Sequence, residues 1–348
     1  MRFYKIIVGS LFLLFTYSGK TQQIQVLESG KRVSFRGLSV VSDQVFWASG
    51  SNGSVVRSTD GGKNLQWISV PGYEKRDFRD IEALSADTAV IMAIAEPAVI
   101  LKTTDGGKNW RKVFEDTTKG MFLDAMDRSP NGSMIVVGDP IQGHLFTAMS
   151  MDNGNSWQIM PVKDGKKDVR KVKDTEAMFA SSGTNIKLIP EKDFGTPTLL
   201  VTGGSKASIK DVYNYSFNDS LPMIQGGTST GANSIDYWSK TKFAVIVGGD
   251  FSKDTIAIDN CVLVQFKNGK PIFSKPSVPP HGYRSCVIYL NENELVTCGT
   301  SGIDVSKDGG QTWQLISKES FHVVQKARNG KAIFLAGGNG RIAQLILP

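Results

Sequence analysis

Residues 58–67 read STDGGKNLQW, and the stretch returns as TTDGGKNW at 103–110, SMDNGNSW at 150–157 and SKDGGQTW at 306–313. Its aspartates are Asp60, Asp105, Asp152 and Asp308. They stand 45, 47 and 156 residues apart, and the last gap is three steps of 52. A fixed period in this range means stacked copies of one small unit.

Around each copy the chain has the same frame. In the first, FRGLSVV, QVFWASG and GSVVRST read as three strands, and the turn TDGGKN leads to a fourth, LQWISV. The runs are short, rich in Val, Ile, Phe and Trp, and separated by Gly-Asn-Ser turns, as in an antiparallel meander. Such a meander cannot bury both faces alone, and radial stacking of neighbours gives a β-propeller. Further copies run from FRDIEAL to NWRKV, from MFLDAM to SWQIM and from YRSCVIY to TWQLI. Two degenerate copies lie between, EAMFASSGTNIKL to VYNYSF and ANSIDYW to PIFSK. The last, FHVVQKA to RIAQLIL, has three strands, and residues 23–28 are placed to supply its fourth and close the ring. The expected fold is all-β: one seven-bladed propeller of four-stranded antiparallel blades over 23–348, with six blades as the alternative.

Residues 1–22 read differently. Arg2 and Lys5 precede an apolar run from Ile6 to Phe15 and then the small, polar Ser18-Gly19-Lys20-Thr21. That is the layout of a secretory signal peptide, and the run is too short for a stable bilayer span. An exported, periplasmic or secreted protein is expected, with no membrane span once the signal is removed. Net charge is +7, and losing Arg2, Lys5 and Lys20 leaves about +4 or +5, too little to argue for nucleic acid. The densest basic stretch, KDGKKDVRKVKD (163–174), is read as a solvated inter-blade loop, with an anionic partner as the alternative. No metal-ligand spacing occurs, and no cofactor is expected. Cys286 and Cys298 are equidistant from Glu292, so a hairpin there sets them face to face, as a disulfide or as two buried thiols. Cys261 is left over.

The repeated turn has a local physics. Its carboxylate can accept hydrogen bonds from the turn's own amides, its glycines take left-handed conformations, and Trp67, Trp110, Trp157 and Trp313 pack onto the hairpin. These residues read as structural, not as catalytic acids. The innermost strands offer a better site. They open with Phe35-Arg36, Phe78-Arg79, Tyr283-Arg284 and Phe321-His322, an aromatic followed by a basic residue in four contiguous blades. Alternation along a strand sends the aromatics between blades and the basic groups toward the channel. Asp80, Asp124 and Glu176 stand at comparable places. Two readings follow: a guanidinium-ringed anion site, or a set of ion pairs tying blades together. The second-to-third-strand turns carry Gly138-Asp139-Pro140 and Gly248-Gly249-Asp250, read either as part of a functional face or as ordinary turn chemistry.

The motif S/T-x-D-x-G-x-x-W is the Asp-box, or BNR repeat. With WASGSNGSVVRSTDGG, FHVV and GGNGRI it gives a chain that resembles the photosystem II stability/assembly factor-like propellers, as an exported bacterial relative. The resemblance covers nearly all of 23–348 and is weakest in the fourth and fifth copies. It implies a non-enzymatic seven-bladed scaffold that binds a partner protein through a basic face, carried here onto Arg36, Arg79 and Arg284. The leading function is therefore an exported module binding a protein, a small anion or a glycan. The alternative is a sialidase-like or other glycoside hydrolase, since Asp-boxes also mark those enzymes. That reading would need three arginines on one carboxylate and an activated tyrosine. No Arg-Ile-Pro signature is present, and alternation turns Tyr283 away from Arg284.

Overall fold

A computed structural model describes residues 22–162, 168–172, 175–189 and 198–347, so the predicted signal peptide, but for residue 22, lies outside the described residues. Seven antiparallel sheets follow one another around an axis. Blade 1 runs from Phe35–Val40 through Phe46–Gly50 and Ser54–Ser58 to Gln66–Ser69. Blades 2, 3 and 6 repeat this meander, with inner strands Phe78–Ala83, Leu123–Arg128 and Cys286–Tyr289. The inner strands touch in sequence, and Val323–Lys326 of blade 7 returns to Phe35–Val40. Seven blades, not six, close the circle.

Closure uses the first strand of the chain. Gln23–Glu28 pairs antiparallel with Ile342–Ile346, in the register Gln23↔Ile346 and Gln25↔Gln344, and so supplies the outer strand of blade 7. Aromatic residues fill the gaps between blades. Phe46 of blade 1 meets Phe334 of blade 7 at 4.4 Å between ring centroids, and Trp47 meets Trp110 of blade 2 edge-on at 6.5 Å. Phe35, Phe78 and Phe321 are fully buried, each side chain contributing about 1.5–3 kcal/mol by leaving water.

The degenerate copies form the remaining blades with one correction. Blade 4 begins at Ile186–Leu188, not at Glu176. Glu176–Ala177 instead joins Gly203–Gly204 at the inner edge of blade 5, giving that sheet six strands. Residues 178–185 are thereby freed from the meander. Their small polar run Ser181-Ser182-Gly183-Thr184 holds too little apolar surface to pack as a strand between blades, and it crosses the propeller axis instead.

Cys286 and Cys298 are direct cross-strand partners, as the hairpin spacing predicts, and both are buried free thiols. Arg170, within the basic stretch read as solvated, is fully buried: it donates to Thr147 Oγ1 and to the carbonyls of Met160 and Pro161. Residues 163–167 and 173–174 of that stretch lie outside the described residues.

Candidate functional site

At the end of the axis where the inner strands start, here the upper end, the ladder slips by one residue in four blades. The slips fall between Phe35 and Gly37, Phe78 and Asp80, Leu123 and Ala125, and Ala232 and Ser234. The extra residues are Arg36, Arg79, Asp124 and Asn233. A bulged residue leaves the pairing and its side chain is re-aimed. Ser285 and His322 hold the same place in blades 6 and 7. Each donates its amide to the carbonyl of the residue that pairs with its successor, Cys298 and Ala336.

These groups meet the crossing segment. One guanidinium nitrogen of Arg36 donates to the Ser181 carbonyl, and one of Arg79 to the Ala180 carbonyl, each over 3.4 Å. Ser181 Oγ donates to Asn233 Oδ1 at 2.9 Å, and Ser182 Oγ to the Ser285 carbonyl at 2.6 Å. Thr184 Oγ1 reaches Ser234 Oγ at 2.7 Å. Gly183 sits where a Cβ would lie 2.3 Å from the Asp80 carboxyl carbon, at φ +71, so only glycine fits. The segment forms a floor across the axis. Asp139 of the Gly-Asp-Pro turn helps to hold it, accepting from the Met178 amide at 3.3 Å. Asp250 of the other Gly-Asp turn caps the short 3-10 turn Phe251–Lys253.

Above the floor two cations stand together. Burial lowers the proton affinity of the Arg36 guanidinium, and the neighbouring charge of Arg79 lowers it further. His322 is pushed down to about 4, by burial first and then by Arg36, against a hydrogen bond between its Nδ1 and the Phe35 carbonyl. Its imidazole is therefore neutral at physiological pH. Asp124 is fully buried with both carboxylate oxygens unpartnered. Burial and the charge of Asp139 push it well up, although Arg79 opposes them. Beyond its long bond to the floor, the one ion pair of Arg79 among the described residues is with Asp77 at 3.6 Å. A guanidinium offers five N–H donors in a rigid fork, and most of those on Arg36 and Arg79 are uncommitted. The arrangement suits a carboxylate or phosphate presented from above.

Three predicted site residues do not join this pair. Arg284 is fully buried, with Nε 2.6 Å from Asp304 Oδ2, and donates to Ser301 Oγ and the Tyr283 carbonyl. The reason is register. In blade 6 it is Ser285, whose amide bonds the Cys298 carbonyl, that takes the place of Arg36, so Tyr283-Arg284 lies one residue earlier than Phe35-Arg36, and the faces exchange. Tyr283 then turns to the axis, where its hydroxyl donates to Asn233 Oδ1 at 2.9 Å and lies 3.2 Å from Ser181 Oγ. Glu176 is buried in a knot with Thr202, Ser208 and Lys210, its Oε1 2.9 Å from Lys210 Nζ. Burial works to raise its pKa, but Lys210 and the hydroxyls outweigh it and hold the carboxyl low. Asp80 faces the other side of the floor and ties blade 2 to blade 3, accepting the amides of Ile81 at 2.7 Å and Met126 at 2.6 Å. The floor itself was missed from sequence. Its signal was four small polar residues where an apolar inner strand belonged.

The Asp-box residues sit on the turns between third and outer strands. Ser58, Thr103, Ser150 and Ser306 each donate to the box aspartate and accept the amide of its second following residue, Gly62, Gly107, Gly154 and Gly310. Amides further along the turn bond Asp60, Asp105, Asp152 and Asp308 in turn. Trp110 and Trp313 donate to the Gly107 and Gly310 carbonyls. Trp67, delayed by Leu65 and Gln66, and Trp157 have buried indole nitrogens without partners. Among the described residues no group of His, Cys, Asp and Glu is placed to hold a metal ion, and no helix is long and apolar enough to cross a membrane.

The family model for the photosynthesis system II assembly factor YCF48 matches residues 19–121, which take in blades 1 and 2. Solved structures share the whole fold. YCF48 bound to D1 peptide superposes with a TM-score of 0.65 at 17% identity, over 95% of this chain and 96% of that one. YCF48 from Cyanidioschyzon merolae gives 0.64 at 16% identity, over 92% and 98%. No curated protein matches the chain. This is an Asp-box propeller that resembles the photosystem II assembly factor group.

Proposed function

We propose that the protein is an exported, non-enzymatic propeller that binds a partner protein, seating an acidic or carboxylate-ended peptide over Arg36 and Arg79. The observation that carries this reading is the pairing of those two guanidiniums above a closed floor, each with one long hydrogen bond. Two adjacent cations left largely unpaired attract an anion and repel any further cation. The floor stops a chain from threading the axis, so the partner approaches from above and ends there. The similar YCF48 structure holds a D1 peptide, and a peptide-binding role on the same fold is consistent with this mouth. What supports export is the basic, apolar and then polar order of residues 1–22.

The geometry gives the hydrolase reading little support. Arg284 is committed to Asp304, so among the described residues it does not join the pair as a third arginine, and Tyr283 is hydrogen-bonded beneath them. The test is selection from a random peptide library displayed with free carboxyl ends, using the chain from residue 22 onward. Selected peptides should be acidic or depend on the free carboxylate, bind more weakly at high salt, and lose binding to Arg36→Gln/Arg79→Gln. Peptides that bind the double variant as well as the parent would refute the assignment.

A further inference from the structure

Below the floor the axis opens into a second, separate chamber. Its volume is about 330 Å³ and every blade contributes to its wall, while Ser182, Gly183 and Thr184 form its end. The chemistry of the wall is charged: Asp80, Glu82, Asp127 and Asp236 stand with Arg128, Lys187, Lys326 and Arg328.

Most of these charges are matched. Lys187 Nζ lies 2.8 Å from Asp236 Oδ1, and Asp236 Oδ2 accepts the Tyr289 amide at 2.7 Å. Asp127 Oδ2 accepts the Leu188 amide at 2.7 Å. Arg328 donates to Ser39 Oγ at 3.0 Å and to the Ala83 carbonyl, with Glu82 at 3.6 Å. Arg128 is the exception. It lines the chamber within electrostatic reach of Glu82, its Nε is buried, and that nitrogen has no partner. Glu82 has a single long hydrogen bond, from Ser39 Oγ at 3.4 Å.

Burial pushes Glu82 up to about 7, so near neutrality part of that carboxyl is uncharged. The open donor position on Arg128, in a half-enclosed chamber, calls for an acceptor such as a carboxylate, and the neighbouring carboxyl calls for a donor. At roughly 30 Å³ per water-sized group, the chamber holds on the order of ten non-hydrogen atoms.

We infer that the lower chamber is a binding site for a small α-hydroxy or α-amino carboxylate, its carboxylate on Arg128 and its hydroxyl or ammonium on Glu82. This site is independent of the peptide-binding mouth, since the floor lies between them. Both ligand types satisfy Arg128 in the same way and differ at Glu82. A hydroxyl bonds either protonation state of that carboxyl, whereas an ammonium requires the ionised one and so binds better as pH rises through 7.

Isothermal titration of the chain with L-malate and with L-serine tests the inference, with acetate and methylamine as controls lacking one of the two groups. One of the two probes should bind above both controls. Arg128→Gln should weaken it by about tenfold or more, the loss expected for hydrogen bonds to a charged group. Arg36→Gln should leave it unchanged. If Arg128→Gln does not fold, Arg128→Lys keeps the charge without the fork, and weakening is again expected. No binding of either probe, equal binding to the Arg128 variant, or loss in Arg36→Gln instead would each overturn the site.

Discussion

Arg284 and Asp304 form an ion pair inside blade 6 with both side chains fully buried and Nε 2.6 Å from Oδ2. His281 Nδ1 lies 2.7 Å from the other oxygen of Asp304. Removing one member leaves the other charged and dry. Arg284→Met should therefore cost about 3–5 kcal/mol of stability, and Arg284→Met/Asp304→Leu should recover much of that loss. Denaturant melts of the two variants decide it. If the single variant melts like the parent and loses peptide binding instead, Arg284 belongs to the mouth after all.

His322 gives a pH dependence of definite sign. Its folded-state pKa is about 4, against 6.5 for an unperturbed histidine. Below 6.5 the unfolded chain takes up a proton that the folded chain refuses, so stability contributed above 6.5 falls with pH and levels off near 4. The difference corresponds to on the order of 3 kcal/mol at the acid end. His322→Gln removes the titrating group. Urea midpoints of parent and variant should diverge between neutral and acid pH, with the parent losing more; parallel curves would show a normal histidine.

The ring of blades was legible because its marker is chemical as well as periodic. Asp60, Asp105, Asp152 and Asp308 recur with their glycines, and a turn that needs both residue types at fixed offsets announces itself. The residues that build the site were less legible. Both Tyr283-Arg284 and Phe35-Arg36 are an aromatic followed by an arginine, yet in blade 6 Ser285, one residue later, takes the position of Arg36, and the side chains go to opposite faces. Bulge position depends on the partner strand and leaves little trace in a dipeptide. Asn233 and Ser285 carry no charge to draw attention, and their role emerges only from the segment they hold. That segment, residues 178–185, follows from a missing apolar strand, and its path across the axis is set by contacts with several blades at once.

Thr103 tests the Asp-box. It is buried, donates to Asp105 Oδ1 at 2.9 Å and accepts the Gly107 amide at 3.0 Å. Thr103→Val keeps the shape and strands that amide, which should cost about 1–3 kcal/mol. Thr104→Val, at the exposed neighbouring position, should be close to neutral. Peptide affinity should be the same in both variants, because the turn lies on the outer part of blade 2. A fall in affinity at unchanged stability would make the Asp-box part of the binding surface.

The first strand closes the ring across almost the full length of the chain, and that makes it separable. Gln23–Glu28 is bonded to Ile342–Ile346 along one edge, while Ile24 and Leu27 pack against the core shared by blades 1, 6 and 7. Starting the chain at Ser29 removes both contacts and exposes a strand edge, so stability should fall by about 2–4 kcal/mol and association should increase. A synthetic peptide of residues 22–29 should bind the truncated chain by strand addition and restore its melting temperature. The parent, whose edge is filled, should not bind that peptide. If truncation leaves the melting temperature unchanged, the remaining three strands of blade 7 hold the ring shut without it, and the closure is ornamental to stability.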